Sequence, residues 1–227
     1  MFNELLFLAH VAAVAGFTLF SLALGKEALT ATICIFSILS NLFVTKQITL
    51  FGLDVISTDV FAVGGILGLN MLQEFFGREI IKKTIAINFV IMMLYLAMSQ
   101  FQLWYQPNAF DTMHPHFDLI LSPMLRIIIA SVAVYVIVQI IDAYLYATLK
   151  QIFKNRYLTG RNVTSLLFSQ LIDTILFSFA ALYGSVESVL HIIMVSYCIK
   201  VVVIMCNAPF IAFAHRIFSR THHHDII

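Results

Sequence analysis

The chain has 227 residues, 61% of them hydrophobic and 11% charged, with a formal net charge of +1 and a mean hydropathy of +0.95. A soluble domain of that composition would carry a very large exposed apolar surface. Six or seven helical spans of about 20 residues consume the length, which excludes a soluble catalytic or nucleotide-hydrolysing domain. The basic residues fall in short clusters and at the tail, so no face is set aside for nucleic acid.

Seven apolar stretches follow one another, and the fold class expected is all-α, a polytopic transmembrane helical bundle. The first, Leu5 to Leu24, ends in Ala23-Leu24-Gly25 like a secretory signal. It is preceded by Glu4 and by no Lys or Arg, so it reads as a retained span. The second runs from Ala28 to Leu50 and the third from Val55 to Phe76. Asp54, Asp59 and Gly64-Gly65 interrupt the third, which is expected to be bent or broken around a cavity. Thr84 to Tyr105, Met124 to Leu149, Val163 to Gly184 and Ser188 to Ala214 complete the set.

The loops set an orientation, because Lys and Arg stay on the cytoplasmic side. Arg78, Lys82 and Lys83 follow the third stretch, Lys150, Lys154, Arg156 and Arg161 the fifth, and Arg216 and Arg220 the seventh. The alternate loops hold Asp54 and Asp59, then Asp111 and Asp118, then Glu187. The expectation is an outside N-terminus and a cytoplasmic C-terminus.

Acids and cations inside such stretches carry the functional signal. A charge in hydrocarbon costs at least a few kcal/mol unless paired or hydrated, so Asp59, Glu74, Asp142 and Asp173 with Lys46, Arg126 and Lys200 point to a polar pathway between helices, and to a transporter. Gln139 with Asp142, and Gln170 with Asp173, repeat an amide and an acid three residues apart on one helical face. Asp173 and Lys200 fall at similar depth and are expected to pair. The alternative for each is a contact that only joins helices. Lys46 and Asp59 flank one turn, as a gate-like pair or with Lys46 snorkelling. His10 and His191 read as satisfied core residues, and Cys34, Cys198 and Cys206 as buried thiols. His114-Pro115-His116 and the tail histidines lack a metal-ligand spacing, so neither metal nor cofactor is expected. The pairs Ala12 and Gly16, Gly64 and Gly68, and Ala180 and Gly184 suit close helix approach, within the chain or in a homodimer.

One set of motifs resembles a known family. Ser40-Asn41 with Lys46, Gln73-Glu74-Phe75-Phe76-Gly77, Arg126 to Ser131, Gln139-Ile140-Ile141-Asp142, Arg161-Asn162 with Ser165, Ser169 to Thr174, and Tyr197 with Lys200 and Pro209 are similar to the queuosine precursor transporters, or VUT membrane proteins. Asn70 and Phe76 stand where the family pattern has an acid and a Tyr, and Gly64-Gly65 where it has a Pro. The resemblance implies a single transmembrane domain over residues 1–227. Its parts are an additional N-terminal helix at 1–26, a six-span core at 28–214 and a cytoplasmic tail at 215–227. It implies a multi-pass protein of the bacterial inner membrane that imports a 7-deazaguanine base for tRNA queuosine salvage and is not an enzyme. The base is queuine or the 7-cyano or 7-aminomethyl compound. Partners are then that small molecule and membrane lipid, with no direct nucleic acid. The substrate-binding residues expected are Asn41, Gln73, Glu74, Arg126, Gln139, Asp142, Asn162, Gln170, Asp173 and Lys200. The alternative is the substrate-binding membrane subunit of a multi-component vitamin-type transporter, which would need a separate ATPase.

Overall fold

A computed structural model describes residues 2–152 and 158–218 of the chain. Eight α-helices occur among them: α1 (Phe2–Leu24), α2 (Lys26–Phe43), α3 (Asp59–Phe76), α4 (Arg78–Trp104), α5 (His114–Leu121), α6 (Met124–Ile152), α7 (Leu158–Phe177) and α8 (Val189–Phe218). Four segments are long and apolar enough to cross a membrane: Phe2–Leu24, Lys26–Phe43, Glu79–Trp104 and His114–Tyr135. Large apolar side chains such as Leu5, Phe20, Val90, Phe101, Leu190 and Val202 point outward at 52% exposure or more. That apolar exterior is the inverse of a soluble protein's and belongs in lipid; the chain is a multi-pass membrane protein.

Two strands correct the all-α expectation. The second stretch ends as helix at Phe43, and β1 (Gln47–Leu50) pairs antiparallel with β2 (Leu53–Ile56), Leu50 opposite Leu53. Phe51 and Gly52 between them have φ of 52° and 79°, the two left-handed residues of a type I′ hairpin turn. The backbone N–H of Phe51 donates to Glu4 Oε1 at 3.1 Å, tying the start of α1 to the hairpin. Gln47 holds the turn before α8, its Nε2 donating to Ser185 O at 3.5 Å and its Oε1 accepting from Glu187 N at 3.3 Å. Hairpin, N-terminus and α7–α8 turn therefore share one end of the bundle, opposite the α3–α4 junction with Lys82 and Lys83.

The third stretch is divided at Ser57-Thr58 between β2 and α3, but no break occurs at Gly64-Gly65: α3 is continuous from Asp59 to Phe76 and packs on α1, α2, α4 and α8. Gly64 and Gly68 serve approach, whereas a Cβ on Gly65 would meet nothing within 4 Å. A Cβ on Gly64 would meet Val14 Cγ1 at 2.5 Å and Phe36 Cε2 at 2.6 Å, and one on Gly68 would meet Ile33 Cγ1 at 2.8 Å. Gly16 and Gly184 have nothing within 4 Å, so those two expected close-packing sites are not such. The irregularity lies instead at the end of α7, where Ser178–Leu182 form a π-helical turn. On α1, Val14, Thr18, Ser21 and Leu22 make the buried stripe at the spacing of an amphipathic face, and Ser21 Oγ is 2.7 Å from Thr32 Oγ1 of α2. Cys34 is buried, whereas Cys198 is exposed, against expectation; the side chain of Cys206 lies outside the described residues.

Candidate functional site

Between α2, α3, α4, α6, α7 and α8 lies a cavity of about 750 Å³, within the size range of small-molecule sites. Hydrophobic residues cover most of its wall. Its polar part includes Asn41 of α2, Asp59 of α3, Asn88 of α4, Ser131 of α6, Asp173 of α7 and Lys200 of α8. Counting 1.5 Å per residue, Lys200 lies about 16 Å along α8 from the hairpin end and Asp173 about 22 Å along α7 from the other end. The two levels meet mid-bundle.

Lys200 Nζ donates to Asp173 Oδ2 at 2.7 Å and to Thr174 Oγ1 at 3.0 Å. The expected pairing of Asp173 with Lys200 is thus present, with 31% and 11% of the respective side chains exposed. Thr174 in turn donates to Gln170 O at 2.7 Å. One turn before Lys200 on α8, Ser196 Oγ donates to Asp59 Oδ2 at 2.8 Å, joining α8 to α3 as Lys200 joins it to α7. Asn41 Nδ2 donates to Ser37 O at 2.7 Å within its own helix, which leaves Oδ1 to accept from Ser131 Oγ at 3.2 Å. Asn88 Oδ1 is buried and has no hydrogen-bond partner.

Of the ten residues singled out in the sequence, Asn41, Asp173 and Lys200 line the cavity. Gln170 is half-buried one turn from Asp173 and is not on the wall. Gln73 and Glu74 are exposed near the end of α3, away from it. Arg126 is exposed and occupied by backbone: Nε donates to Ala180 O at 3.0 Å and Nη2 to Tyr183 O at 2.8 Å. These are carbonyls at the π-helical turn, where the regular helix ladder is interrupted. The side chains of Gln139, Asp142 and Asn162, like those of Arg161 and Ser165, lie outside the described residues. No ion pair joins Lys46, which is exposed, to Asp59, which is 5% exposed. His10 packs edge-on against Phe61 with centroids 5.3 Å apart, but His191 Nδ1 is buried without a partner and so is not the satisfied core residue expected.

Asn88 and Ser196 were not anticipated. Asn88 had the signal that drew attention to Asn41, an amide inside an apolar helix. Ser196 had none, since a serine in a membrane helix commonly bonds its own backbone. No cluster of three or more His, Cys, Asp or Glu suited to a metal occurs among the described residues.

Residues 59–214, from the start of α3 into α8, match the family described as "Putative vitamin uptake transporter". The "Probable queuosine precursor transporter" of Bacillus subtilis (strain 168) is 28% identical over 195 residues, covering 85% of each chain. No solved structure matches. The family match takes in α3, α4, α6 and α7 whole, with the acids, the amide and the lysine of the cavity wall except Asn41, and on that match the chain belongs to the vitamin uptake transporter family, a family of transporters and not of enzymes.

Proposed function

We propose that this chain imports a queuosine precursor, a 7-deazaguanine base, through the cavity between α2, α3, α4, α6, α7 and α8. The observation that carries this reading is the Asp173–Lys200 pair at 2.7 Å on the wall of that cavity. A guanine-type edge presents adjacent N–H donors beside a carbonyl acceptor. A carboxylate meets the donors in bidentate fashion, and an ammonium meets the carbonyl. The pair therefore offers both halves of the recognition while each half satisfies the other in the empty cavity. Ligand entry exchanges one ion pair for two charge-assisted contacts, and the exchange loosens the join between α7 and α8.

The name of the Bacillus subtilis relative supports the substrate class. Alternating access follows as the mechanism, with α1, α2, α3, α4, α6, α7 and α8 as seven spans, the hairpin end outside and the basic loops cytoplasmic. Asp142, Gln139, Gln170 and Asn162 are further candidates for the pathway, on α6 and α7.

The test is restoration of queuosine in tRNA in a bacterial host that neither makes nor imports the precursor, with queuine, the cyano base and the aminomethyl base fed separately. Expression of this chain restores the nucleoside with at least one base. Failure with all three, with the protein in the membrane fraction, overturns the reading. Uptake by the chain alone, without an added ATPase complex, separates a self-sufficient transporter from a substrate-binding subunit.

A further inference from the structure

The two carboxylates on the cavity wall are not equivalent. Asp173 is bonded to an ammonium at 2.7 Å. Asp59, 5% exposed, has the neutral hydroxyl of Ser196 at 2.8 Å, and that same face of α8 spends its one ammonium on Asp173 and Thr174. The remaining cation on the wall, Lys82, is bound to Glu79 at 2.8 Å, with 75% and 86% of those side chains exposed. It lies in the second turn of α4, at the end opposite Asp59, the first residue of α3. Among the described residues, the interior of the cavity therefore holds two acids and one ammonium. A second acceptor is also short of a donor: Asn88 Oδ1, buried and unpartnered, on the same wall.

A buried carboxylate with no ammonium bonded to it, or a buried amide oxygen without a donor, costs free energy that a complementary ligand recovers. Both deficits have the same sign. They ask for positive charge and for N–H groups.

Resting on the transport reading above, we propose that Asp59 receives the cationic substituent of the ligand and that this cavity selects 7-deazaguanines bearing a protonated amine over the neutral cyano compound. The heterocycle edge engages Asp173 and Lys200, the ammonium lies towards the hairpin end at Asp59, and the Asn88 amide accepts from a ring or amine N–H. A nitrile brings neither positive charge nor a donor. A charge-assisted hydrogen bond in a desolvated site discriminates by about tenfold to a hundredfold.

The experiment is competition on the full-length chain in nanodiscs: displacement of radiolabelled 7-cyano-7-deazaguanine by the unlabelled cyano and aminomethyl bases, at a pH where the amine is protonated. The wild-type chain is expected to bind the aminomethyl base at least about tenfold more tightly. In Asp59→Asn the ratio of the two affinities falls to within about threefold of one, and in Asp59→Glu, which keeps the charge, it stays near the wild-type value. Equal affinities in the wild-type chain overturn the inference, and that result needs no variant to fold. A preference retained in Asp59→Asn overturns it as well. Binding of none of the three bases by the wild-type chain, each tested directly with queuine included, defeats the transport reading itself, whereas binding of the cyano and aminomethyl bases without preference defeats the selectivity alone.

Discussion

Replacing either partner of the Asp173–Lys200 pair should destabilise the protein unequally, with the acid the costlier loss. At 2.7 Å the gross attraction is about 6 kcal/mol for an effective dielectric constant of 20, and desolvation cancels much of it. The cost of a single substitution is set by the charge left behind. Asp173→Asn leaves Lys200, 11% exposed, with neutral direct acceptors only, Thr174 and the new amide oxygen, and with Asp59 as the one carboxylate left on the described cavity wall. Stranding an ion at that depth costs about 3–5 kcal/mol. Lys200→Met leaves Asp173, 31% exposed, which water in the cavity can reach, so the loss falls to about 2 kcal/mol after discounting for solvation. The double variant strands neither charge and should recover about 1–2 kcal/mol relative to Asp173→Asn. Thermal unfolding of the three variants and the parent in nanodiscs, followed by retention of the monodisperse peak, gives the order. The parent should be most stable, then the double variant and Lys200→Met, then Asp173→Asn. Uptake should follow a different order, with all three variants defective, because the ligand loses an anchor in each. Strict additivity of the two single losses would refute the energetic coupling. A double variant that transports at the parental rate would refute the role of the pair in binding.

Gly64→Leu should abolish assembly of α1 on α3 and lower the folded yield, since the first added carbon would stand 2.5 Å from Val14 Cγ1 and 2.6 Å from Phe36 Cε2. Overpacking of that kind costs about 1–3 kcal/mol or more; a normal yield with unaltered unfolding would remove α1 from the bundle. Arg126→Gln should cost about 1.5–3 kcal/mol, from two charge-assisted bonds to Ala180 O and Tyr183 O, read as a lowered midpoint of unfolding. The apparent KM of the molecules that remain folded should hold, and a raised KM at unchanged stability would make Arg126 a ligand contact instead. Phe51→Asn should stabilise the hairpin by about 1 kcal/mol, because Phe51 has φ of 52° and is 77% exposed, and Asn tolerates that conformation better. A fall in the midpoint would mean that the exposed ring itself has a partner, such as lipid.

The membrane-helix architecture was legible because hydropathy and length leave few alternatives. The alternation of basic and acidic loops assigned ends that the described contacts respect, with Glu4, the hairpin and Ser185 together. The hairpin itself was missed. Gln47 to Ile56 is apolar enough to extend two helices, and the turn depends on a left-handed Phe51, a conformation that residue type does not announce. Gly64-Gly65 suggests a break because glycine permits one, yet at Gly64 and Gly68 the absence of a side chain lets α1 and α2 approach α3, and tertiary packing decides between the two. Asp173 with Lys200 was legible from depth alone. Arg126 was not, since its role depends on a π-helical turn over 50 residues further along the chain.

A general distinction separates the polar residues that mark this cavity from those that do not. Thr18 and Ser99, off the cavity wall, donate to the carbonyl four residues earlier, of Val14 and Tyr95, and Ser37 and Thr174, on the wall, do the same to Ile33 and Gln170. A short hydroxyl side chain can satisfy itself on its own helix in lipid and so carries little positional information. Carboxylates and ammonium groups have no such refuge, because a charge bonded only to its own backbone is still a charge in hydrocarbon. They must converge on one another or on water, and in this chain Asp59, Asp173 and Lys200 do so across three helices. Asn41 is intermediate: its amide donor is spent on Ser37 and its oxygen reaches across to Ser131. Asn88 has the same two-sided group and no protein partner for its oxygen. An amide that leaves an acceptor bare beside an acid bonded to a neutral hydroxyl is the residue whose function depends most on what enters the cavity. Asn88→Thr should therefore weaken binding of a donor-rich base by about tenfold while leaving unfolding of the empty protein unchanged, and a loss of stability without a loss of affinity would assign Asn88 to the scaffold.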